Sequence, residues 1–324
     1  MNQQKVGAII TAAGKRNSDR MFEPLKELGN ISVVKRLVVT LQCAGVEPIV
    51  VITGHQAEEV ERHLSDYGVV FLRNERYEET HMFESAKIGC SYLEGKCDRI
   101  LFTKVDVPFF TTETVNRLLE QKGGIISPVY EGKTGHPICI NSVFIPQILS
   151  YDGEGGMKGF LRSMQQERVW IEVKDEGVLY SSEQSSNSQA LLEVHNKQIF
   201  HSHLTISLAK ENIFFDKRAK MLLLMIEDTH SVRGACKRMA MSYSKAWNVL
   251  NTMEQELGFP VVQRQHGGKA GGKTYLSEQG RRFLNQYLNF ENSIKQFAKQ
   301  RFEEIFSNPL QLHEVLDSQN QCSQ

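Results

Sequence analysis

The chain has 324 residues, 40% of them hydrophobic, and its 38 basic side chains balance its 38 acidic ones. A chain of this length exceeds the size at which one hydrophobic core usually continues to grow, so two domains are expected. No apolar run approaches the roughly 20 residues of a membrane span, and the first residues lack the apolar core of a signal peptide. We therefore expect a cytoplasmic protein without a membrane partner.

The cysteines lie far apart, without a Cys-x-x-Cys pair or the spacing of metal ligands. They are Cys43, Cys90, Cys97, Cys139, Cys236 and Cys322. This pattern argues against a structural zinc site and is typical of a reducing compartment. We expect the cysteines to be small apolar residues of the core.

Residues 1–180 alternate apolar runs with amphipathic stretches of helical length, beginning with VGAIITA, SVVKRLVVTLQCAG and EPIVVITG. Strands that are apolar on both faces and separated by helices form parallel sheets covered on two sides. The sequence therefore predicts an α/β domain with a doubly wound, mostly parallel sheet. We place it at residues 1–200, where ALLEVHNKQIF provides a closing helix after the polar segment 181–189.

Charge is unevenly distributed along the chain. Residues 201–302 contain 16 Lys or Arg and 8 Asp or Glu, a net charge of +8, so the rest of the chain carries −8. A basic module suits a polyanionic partner such as DNA. The plain alternative is a solvated basic surface without a partner.

A helix-turn-helix is predicted between residues 217 and 258. The amphipathic stretches KRAKMLLLMIED, VRGACKRMA and YSKAWNVLNTMEQELG follow one another with short breaks, and Ser242 is the expected cap of the third. Side chains near the start of this recognition helix reach base edges in the major groove. The candidate DNA contacts of the last two helices are Arg233, Ser242, Tyr243, Ser244, Lys245 and Asn248.

The segment FPVVQRQHGGKAGGKTYLS predicts a wing, because two short strand-like runs flank a glycine-rich loop. Arg264, Lys269 and Lys273 in it would contact phosphates and fix the register without reading sequence. A long amphipathic helix then completes a domain at residues 204–308, followed by a polar tail at 309–324. This helix either pairs with a second copy, which makes the protein a homodimer, or packs on its own domain.

The run SVRGACKRMAMSYSKAWNVLNTMEQELGFPVVQRQHGGKAGGKTYLSEQGRRFL resembles the winged helix-turn-helix of the molybdate-responsive transcriptional regulators, which are relatives of the LysR-type DNA-binding domain. The similarity begins at the predicted strand TISLAKENIFF, and its most specific elements are SYSKAW and GGKAGGK. It implies binding to double-stranded DNA and control of transcription. We expect no molybdate-binding domain like that of the family, because only the polar tail follows.

The N-terminal domain carries motifs that suit a nucleotide site. Small residues after the first strand let phosphates approach backbone N–H groups. Asp106 follows another strand and suits Mg²⁺, a hard ion that bridges carboxylate and phosphate. In chain order the motifs are Ala12-Ala13-Gly14, Asp106-Val107-Pro108, Gly135-His136-Pro137 and Gly153-Glu154-Gly155-Gly156-Met157-Lys158. The plain alternatives are a turn capped by Asp106, a structural His136 and a tight turn at Gly155.

In this order the motifs resemble the MobA-like molybdenum cofactor cytidylyl- and guanylyltransferases over most of residues 5–180. The resemblance implies transfer of a nucleoside monophosphate from CTP or GTP to molybdopterin, with Mg²⁺ held by Asp106 and with release of pyrophosphate. The implied catalytic residues are Asp106, His136, Glu154 and Lys158. The implied nucleotide- or pterin-binding residues are Ala12, Ala13, Gly14, Ser85, Gly135 and Gly155.

The first loop departs from the family pattern AAGxSxRMGxxK, whose Arg and Lys neutralise the triphosphate. Aligned without gaps, this chain has Ser18 and Glu23 there, and the nearby substitutes are Lys15, Arg16, Arg20 and Lys26. The family's second acidic segment is replaced by SSEQSSN. One hypothesis is a DNA-binding regulator of molybdenum cofactor metabolism whose degenerate transferase domain binds nucleotide or pterin. The other is an active transferase with an appended DNA-binding domain.

Overall fold

The protein is represented by a computed structural model that describes residues 4–14, 22–180, 188–265 and 273–306. The chain divides into two compact units, one of residues 1–200 with 233–243 and the other of residues 201–232 with 244–324. Within the described ranges, no helix is both long enough and apolar enough to cross a membrane.

Strands alternate with helices in the N-terminal unit, as its apolar patterning predicts. The strands are β1 (Val6–Ala12), β2 (Glu27–Leu28), β3 (Ile31–Ser32), β4 (Ile49–Thr53), β5 (Val70–Arg73), β6 (Arg99–Lys104), β7 (Ile125–Tyr130), β8 (Lys133–Thr134), β9 (Ile138–Asn141) and β10 (Arg168–Glu172). The helices are α1 (Val33–Cys43), α2 (Ala57–His63), α3 (Met82–Leu93), α4 (Thr112–Glu120), α5 (Ile145–Ser150), α6 (Gly156–Ser163) and α7 (Ser188–Gln198).

A mixed sheet of eight strands forms the centre of this unit, in the order β10-β7-β9-β6-β1-β4-β5, with β8 attached to β7. The pairs β1–β4, β1–β6, β4–β5 and β7–β10 are parallel, whereas β9 runs antiparallel to both β6 and β7. The predicted α/β class with a mostly parallel sheet is therefore confirmed. Because parallel strands end at the same edge, the residues that follow β1, β4 and β6 lie together where ligands of such sheets bind.

Apolar side chains cover both faces of the sheet, because successive residues of a strand point to opposite faces. Ala8 and Ile10 of β1 belong to a core that includes Leu37 of α1. Ile9 lies against α3, where a Cβ added to Gly89 would come within 2.8 Å of its side chain. Helix α3 also contacts α5 and α6, and α1 contacts α4. The helices thus form two layers, one on each face.

Helix α7 closes the N-terminal unit, as predicted from ALLEVHNKQIF. Its His195 is buried. The ring Nδ1 lies 3.0 Å from Nη1 of Arg36, and Nε2 lies 3.1 Å from Oγ1 of Thr40 and 3.2 Å from the carbonyl of Phe110. Burial, followed by the nearby Arg36 charge, lowers the pKa of His195 to about 3. The neutral ring therefore accepts a hydrogen bond from Arg36 and donates one from Nε2.

The chain from residue 201 onward consists of short hairpins and helices. Its strands are β11 (Leu208–Ala209), β12 (Ile213–Phe215), β13 (Val262–Gln265) and β14 (Lys273–Leu276). Its helices are α8 (Lys217–Thr229), α9 (Val232–Met239), α10 (Tyr243–Leu257) and α11 (Glu278–Phe306). The single strand expected over TISLAKENIFF is wrong, because β11 and β12 pair antiparallel as a small hairpin. The polar residues 210–212 form the turn between them.

Helix α11 packs on its own unit through its first half. Tyr287 donates a hydrogen bond to the carbonyl of Ile206 at 2.7 Å, and its ring centroid lies 4.7 Å from that of Phe215. Farther along the helix, Phe297 is 66% exposed. The first half therefore agrees with packing on its own domain, and pairing of the second half with another copy stays a prediction.

The cysteines of the described ranges are free thiols. Cys43 is half-buried and the others are buried, namely Cys90, Cys97, Cys139 and Cys236. Burial raises the pKa of the Cys90 thiol to about 12, so it stays protonated and unreactive at neutral pH. The burial of these four cysteines agrees with their expected role as core residues. Cys322 lies outside the described residues.

Candidate functional site

The turn after β1 is the first element of the candidate nucleotide site. Ala12 and Ala13 are buried, and Gly14 is exposed. The carbonyl of Ala13 accepts a hydrogen bond from the amide of His55 at 3.0 Å, which fixes the turn beside the end of β4. Among the residues that the structure describes, no heavy atom lies within 4 Å of a Cβ built on Gly14. The loop residues Lys15, Arg16, Ser18 and Arg20 lie outside the described residues.

Asp106 lies two residues beyond β6, at the same edge of the sheet. Its Oδ2 is 3.3 Å from the ammonium nitrogen of Lys104, the last residue of β6. Lys104 is paired in register with Thr11 of β1, and the amide of Val105 donates to the Thr11 carbonyl at 3.1 Å. The Lys104 and Asp106 side chains are 31% and 16% exposed, so water screens their attraction only in part. The ion pair therefore lies beside the strand that leads to Gly14.

A carboxylate in this position fits Mg²⁺, which binds one or two protein carboxylates and completes its shell with water and substrate phosphates. In the part of the chain that the structure describes, no three His, Cys, Asp or Glu side chains cluster so that they could hold a metal ion. Among the described residues, Asp106 would hold a metal ion together with water and nucleotide phosphates. The donor set suits a metal–nucleotide complex better than a free metal ion.

His136 lies next to this edge, just before β9. Its amide donates to the carbonyl of Val178 at 2.9 Å, and the His136–Pro137 peptide bond is cis. Burial and then the charge of Lys104 lower the pKa of His136 to about 4, against the opposing effects of the Phe102 carbonyl and Asp106. Its Nδ1 is buried and makes no hydrogen bond to the described residues. The imidazole is therefore neutral at pH 7 in the free protein.

The glycines of the two later motifs have structural explanations. A Cβ on Gly135 would overlap the carbonyl oxygen of Val178, so close packing against that backbone requires glycine. Gly155 and Gly156 have φ angles of +66° and +60°, in the left-handed region that favours glycine. They form the turn that starts α6. Ligand contacts by Gly135 and Gly155 stay predictions.

Contacts with α3 hold the segment that carries Glu154 and Lys158. The ring centroid of Tyr151 lies 5.6 Å from that of Phe83, and the Tyr151 carbonyl accepts a hydrogen bond from Nζ of Lys87 at 2.6 Å. Glu154 and Lys158 are themselves exposed. Burial does not fix the geometry of their side chains, and their catalytic roles stay predictions.

Ser85 is a buried residue of α3 whose hydroxyl is already used by the fold. Its Oγ accepts a hydrogen bond from Nδ2 of Asn74 at 3.1 Å. Nδ2 also donates to Oγ1 of Thr80 at 2.9 Å, and Oδ1 of Asn74 accepts from the amide of Arg76 at 3.1 Å. Ser85 therefore anchors the turn after β5 to α3, and its contact with a ligand stays a prediction.

Lys104 and an aromatic cluster are candidates that the sequence reasoning missed. The cluster consists of Phe22, His55 and Tyr77, with ring centroids 5.4 Å apart for Phe22–His55 and 6.0 Å apart for His55–Tyr77. His55 follows the end of β4 just as Asp106 follows the end of β6. The strand-end rule that selected Asp106 would also have selected His55.

Helix α10 combines a buried inner face with a polar outer face. Its Ala246, Leu250 and Met253 are fully buried. All the residues predicted to contact DNA on α9 and α10 are exposed: Arg233, Ser242, Tyr243, Ser244, Lys245 and Asn248. A helix of this kind, with donors and acceptors on its outer face, suits the major groove.

Strands β13 and β14 form an antiparallel hairpin in which Gln265 lies opposite Lys273. The guanidinium of Arg264 lies 3.8 Å from the ring centroid of Trp247 on α10, a cation–π contact that links the hairpin to this helix. Arg264 and Lys273 are exposed, as phosphate contacts must be. Lys269 lies outside the described residues.

Comparison with known proteins matches the N-terminal part of the chain to a family and part of the chain to two ModE proteins. Residues 8–169 match the family described as the MobA-like NTP transferase domain. The chain is 36% identical over 87 residues to the transcriptional regulator ModE of Yersinia pestis, and 30% identical over 99 residues to the molybdenum transport protein ModE of Azotobacter vinelandii. These matches cover 26% and 29% of this chain and 32% and 36% of the relatives. The chain thus spans about a third of the length of these curated relatives.

Among solved structures, the chain is similar to a nucleotidyl transferase from Methanothermobacter thermautotrophicus. The TM-score is 0.50 at 20% identity, and the similarity covers 60% of this chain and 98% of the other. At this identity the likeness concerns the fold alone.

Proposed function

We propose that the N-terminal unit binds a nucleoside triphosphate together with Mg²⁺, because the chain belongs to the MobA-like NTP transferase domain family through residues 8–169. The observation that carries this proposal is the position of Asp106, at the sheet edge that it shares with the end of β1 and Gly14. Asp106 would hold the metal ion, and backbone N–H groups near Gly14 would meet the phosphates. CTP and GTP are the expected nucleotides, and molybdopterin is the expected second ligand.

We further propose that the protein is a DNA-binding transcription regulator linked to molybdenum cofactor metabolism. The outer face of α10 and the hairpin that follows support binding to double-stranded DNA, and the ModE relatives support the link to molybdenum. The proposed division is a nucleotide-binding domain at residues 1–200, a winged helix-turn-helix at 204–308 and a polar tail at 309–324. The second half of α11 is the proposed contact of a homodimer.

Binding without efficient turnover is the form of the proposal that the charges favour. In transfer of a nucleoside monophosphate, an acceptor phosphate oxygen attacks the α-phosphorus, the bond to the bridging oxygen of the β-phosphate breaks, and pyrophosphate leaves. The leaving group gains negative charge that cations must stabilise. Glu23 stands where the family has Lys, and His136 is neutral. The N-terminal unit would then act as a nucleotide or pterin sensor.

An active nucleotidyltransferase with an appended DNA-binding domain is the alternative. Asp106 favours it, because the carboxylate keeps the strand-end position that a catalytic Mg²⁺ requires. Turnover would need other cations in place of the family's Arg and Lys.

Calorimetric titration of the full chain with CTP and with GTP, each with and without Mg²⁺, tests nucleotide binding. Asp106→Asn should abolish the Mg²⁺-dependent part while the circular dichroism spectrum stays unchanged. Glu120→Gln is the matched control, because Glu120 is exposed at the end of α4, near the opposite edge of the sheet. Failure of both nucleotides to bind the unmodified chain would refute the proposal.

A pyrophosphate-release assay with molybdopterin and CTP or GTP separates the sensor from the enzyme. The sensor predicts nucleotide binding with release close to background. Rapid release by the unmodified protein would contradict the sensor and establish the alternative.

A further inference from the structure

We propose that Lys104 is a phosphate-binding residue of the N-terminal site. In the free protein Lys104 pairs with Asp106, and when a metal ion binds Asp106 the Lys104 ammonium binds the phosphates of the nucleotide instead. This inference rests on the proposed nucleotide binding, since it assigns a further residue of the same site. It also makes a separate statement about the metal ion alone, which can be tested without any nucleotide.

The position of Lys104 carries the argument. Lys104 ends β6 and is in register with Thr11, one residue before Ala12 at the end of β1. Its ammonium lies 3.3 Å from Oδ2 of Asp106. A triphosphate that lies against Gly14 and is bridged by a metal ion to Asp106 must pass close to this ammonium. Lys is a common phosphate ligand because its compact charge lies on a long flexible stem.

The free protein already provides a counter-ion for each charge. Lys104 is the charged end of the apolar strand RILFTK, and its side chain is only 31% exposed. A partly buried ammonium needs a partner, and Asp106 supplies it. A divalent cation at Asp106 would compete with Lys104 for Oδ2 and leave that ammonium beside its own charge. The ion pair should therefore weaken binding of a metal ion alone.

A metal–nucleotide complex changes this balance, because it brings negative phosphate oxygens along with the cation. When the metal ion takes Asp106, the phosphates offer Lys104 a new partner at the same sheet edge. The site should thus discriminate against free metal ions and in favour of the complex. Lys104 would also supply a positive charge where Glu23 replaces the family's Lys in the first loop.

The inference predicts that one substitution moves two affinities in opposite directions. Lys104→Met removes the competing ammonium but keeps much of the apolar stem, so Mn²⁺ alone should bind about fivefold more tightly, the range of a partly exposed ion pair. The same variant loses a charged hydrogen bond to phosphate, so Mg²⁺–CTP or Mg²⁺–GTP should bind about tenfold more weakly or worse. A residue that only supports the fold would move both affinities in the same direction.

The experiment uses the full chain, with Mn²⁺ binding followed by electron paramagnetic resonance and nucleotide binding by calorimetry. Lys104→Arg should preserve nucleotide affinity better than Lys104→Met. Lys122→Met is the control, because Lys122 is exposed just before β7, at the opposite edge of the sheet, and should leave both affinities unchanged. Asp106→Asn should abolish Mn²⁺ binding in either background.

Tighter Mn²⁺ binding together with weaker nucleotide binding in Lys104→Met would support the inference. Unchanged or weaker Mn²⁺ binding by Lys104→Met, or no Mn²⁺ binding by any form, would overturn it. If nucleotide fails to bind the unmodified chain, the proposed function fails and the phosphate role of Lys104 fails with it. The Mn²⁺ result would still show whether Lys104 competes for Asp106.

Discussion

Replacing Trp247 by Leu should weaken DNA binding through Arg264, without loss of a base contact. The Arg264 guanidinium lies 3.8 Å from the centroid of the indole ring, on the exposed hairpin that follows α10. A cation–π pair at an exposed site contributes about 0.5–1 kcal/mol. If that energy holds Arg264 toward a phosphate, loss of the ring should weaken binding about two- to fivefold.

A double-mutant cycle on DNA binding measures this coupling. Fluorescence anisotropy would follow the full chain on a duplex selected from a random pool, at several salt concentrations. Arg264→Ala should lower the slope of log affinity against log salt by about 0.9, the value for one phosphate contact. In that background Trp247→Leu should have no further effect. Trp247→Phe keeps an aromatic face and is the matched control.

Independent effects of Trp247 and Arg264 on DNA binding would refute this coupling. If Trp247→Leu weakens binding equally with and without Arg264, the indole acts independently of the guanidinium. A loss of far more than fivefold would indicate that Trp247 supports the recognition helix itself. Melting curves of each variant separate that outcome from a change at the interface.

Other parts of the molecule give further predictions. Asn248→Ala should lower the binding free energy by about 1–3 kcal/mol on the selected duplex and by little on a random duplex. Lys273→Ala should weaken binding to both duplexes and lower the salt slope. Equal losses on both duplexes for Asn248→Ala would show that Asn248 does not read a base. The folded pKa of His195 is about 3, whereas the unfolded chain takes up this proton below about pH 6.5. As the pH falls below about 6.5, the free energy of unfolding should therefore decrease by about 1.4 kcal/mol per pH unit. His195→Gln should flatten that slope in urea unfolding. Glu291 accepts a hydrogen bond from buried Lys220 at 2.8 Å, so Glu291→Leu should lower the free energy of unfolding by about 3–5 kcal/mol. Adding Lys220→Met should restore most of that stability. A double variant that melts no higher than Glu291→Leu would contradict this prediction.

Apolar patterning was sufficient to predict the α/β sheet, because β1, β4 and β6 are buried on both faces and their sequences say so. It could not reveal that β9 runs antiparallel. The apolar pattern of Ile138–Asn141 does not depend on the direction of the strand, and that direction is set by its pairing between β6 and β7. The hairpin in TISLAKENIFF was missed for a similar reason, since three polar residues can belong to a strand edge or to a turn.

The candidate site was predictable where one residue type has one physical use. A carboxylate that follows a buried parallel strand lies at the ligand edge of the sheet, which is why Asp106 was predicted. Glycines are ambiguous, because Gly135 suits close packing against Val178 as well as close approach of a ligand. Lys104 had no comparable signal, because a turn that follows β6 brings its side chain to Asp106: the amide of Val107 donates a hydrogen bond to the carbonyl of Lys104 at 3.3 Å.

The same ion pair bears on the choice between sensor and enzyme. Nucleotidyl transfer requires positive charge that is available when the pyrophosphate oxygens become more negative. When a metal–nucleotide complex binds, Lys104 exchanges the Asp106 carboxylate for a phosphate, and Asp106 exchanges the ammonium for the metal ion. Both groups would then be paired in the ground state. A contact that strengthens as the leaving oxygens gain charge would raise turnover, whereas a contact of equal strength before and during transfer would raise affinity alone. The proposed sensor therefore requires that Lys104→Met weakens nucleotide binding without slowing the release of pyrophosphate.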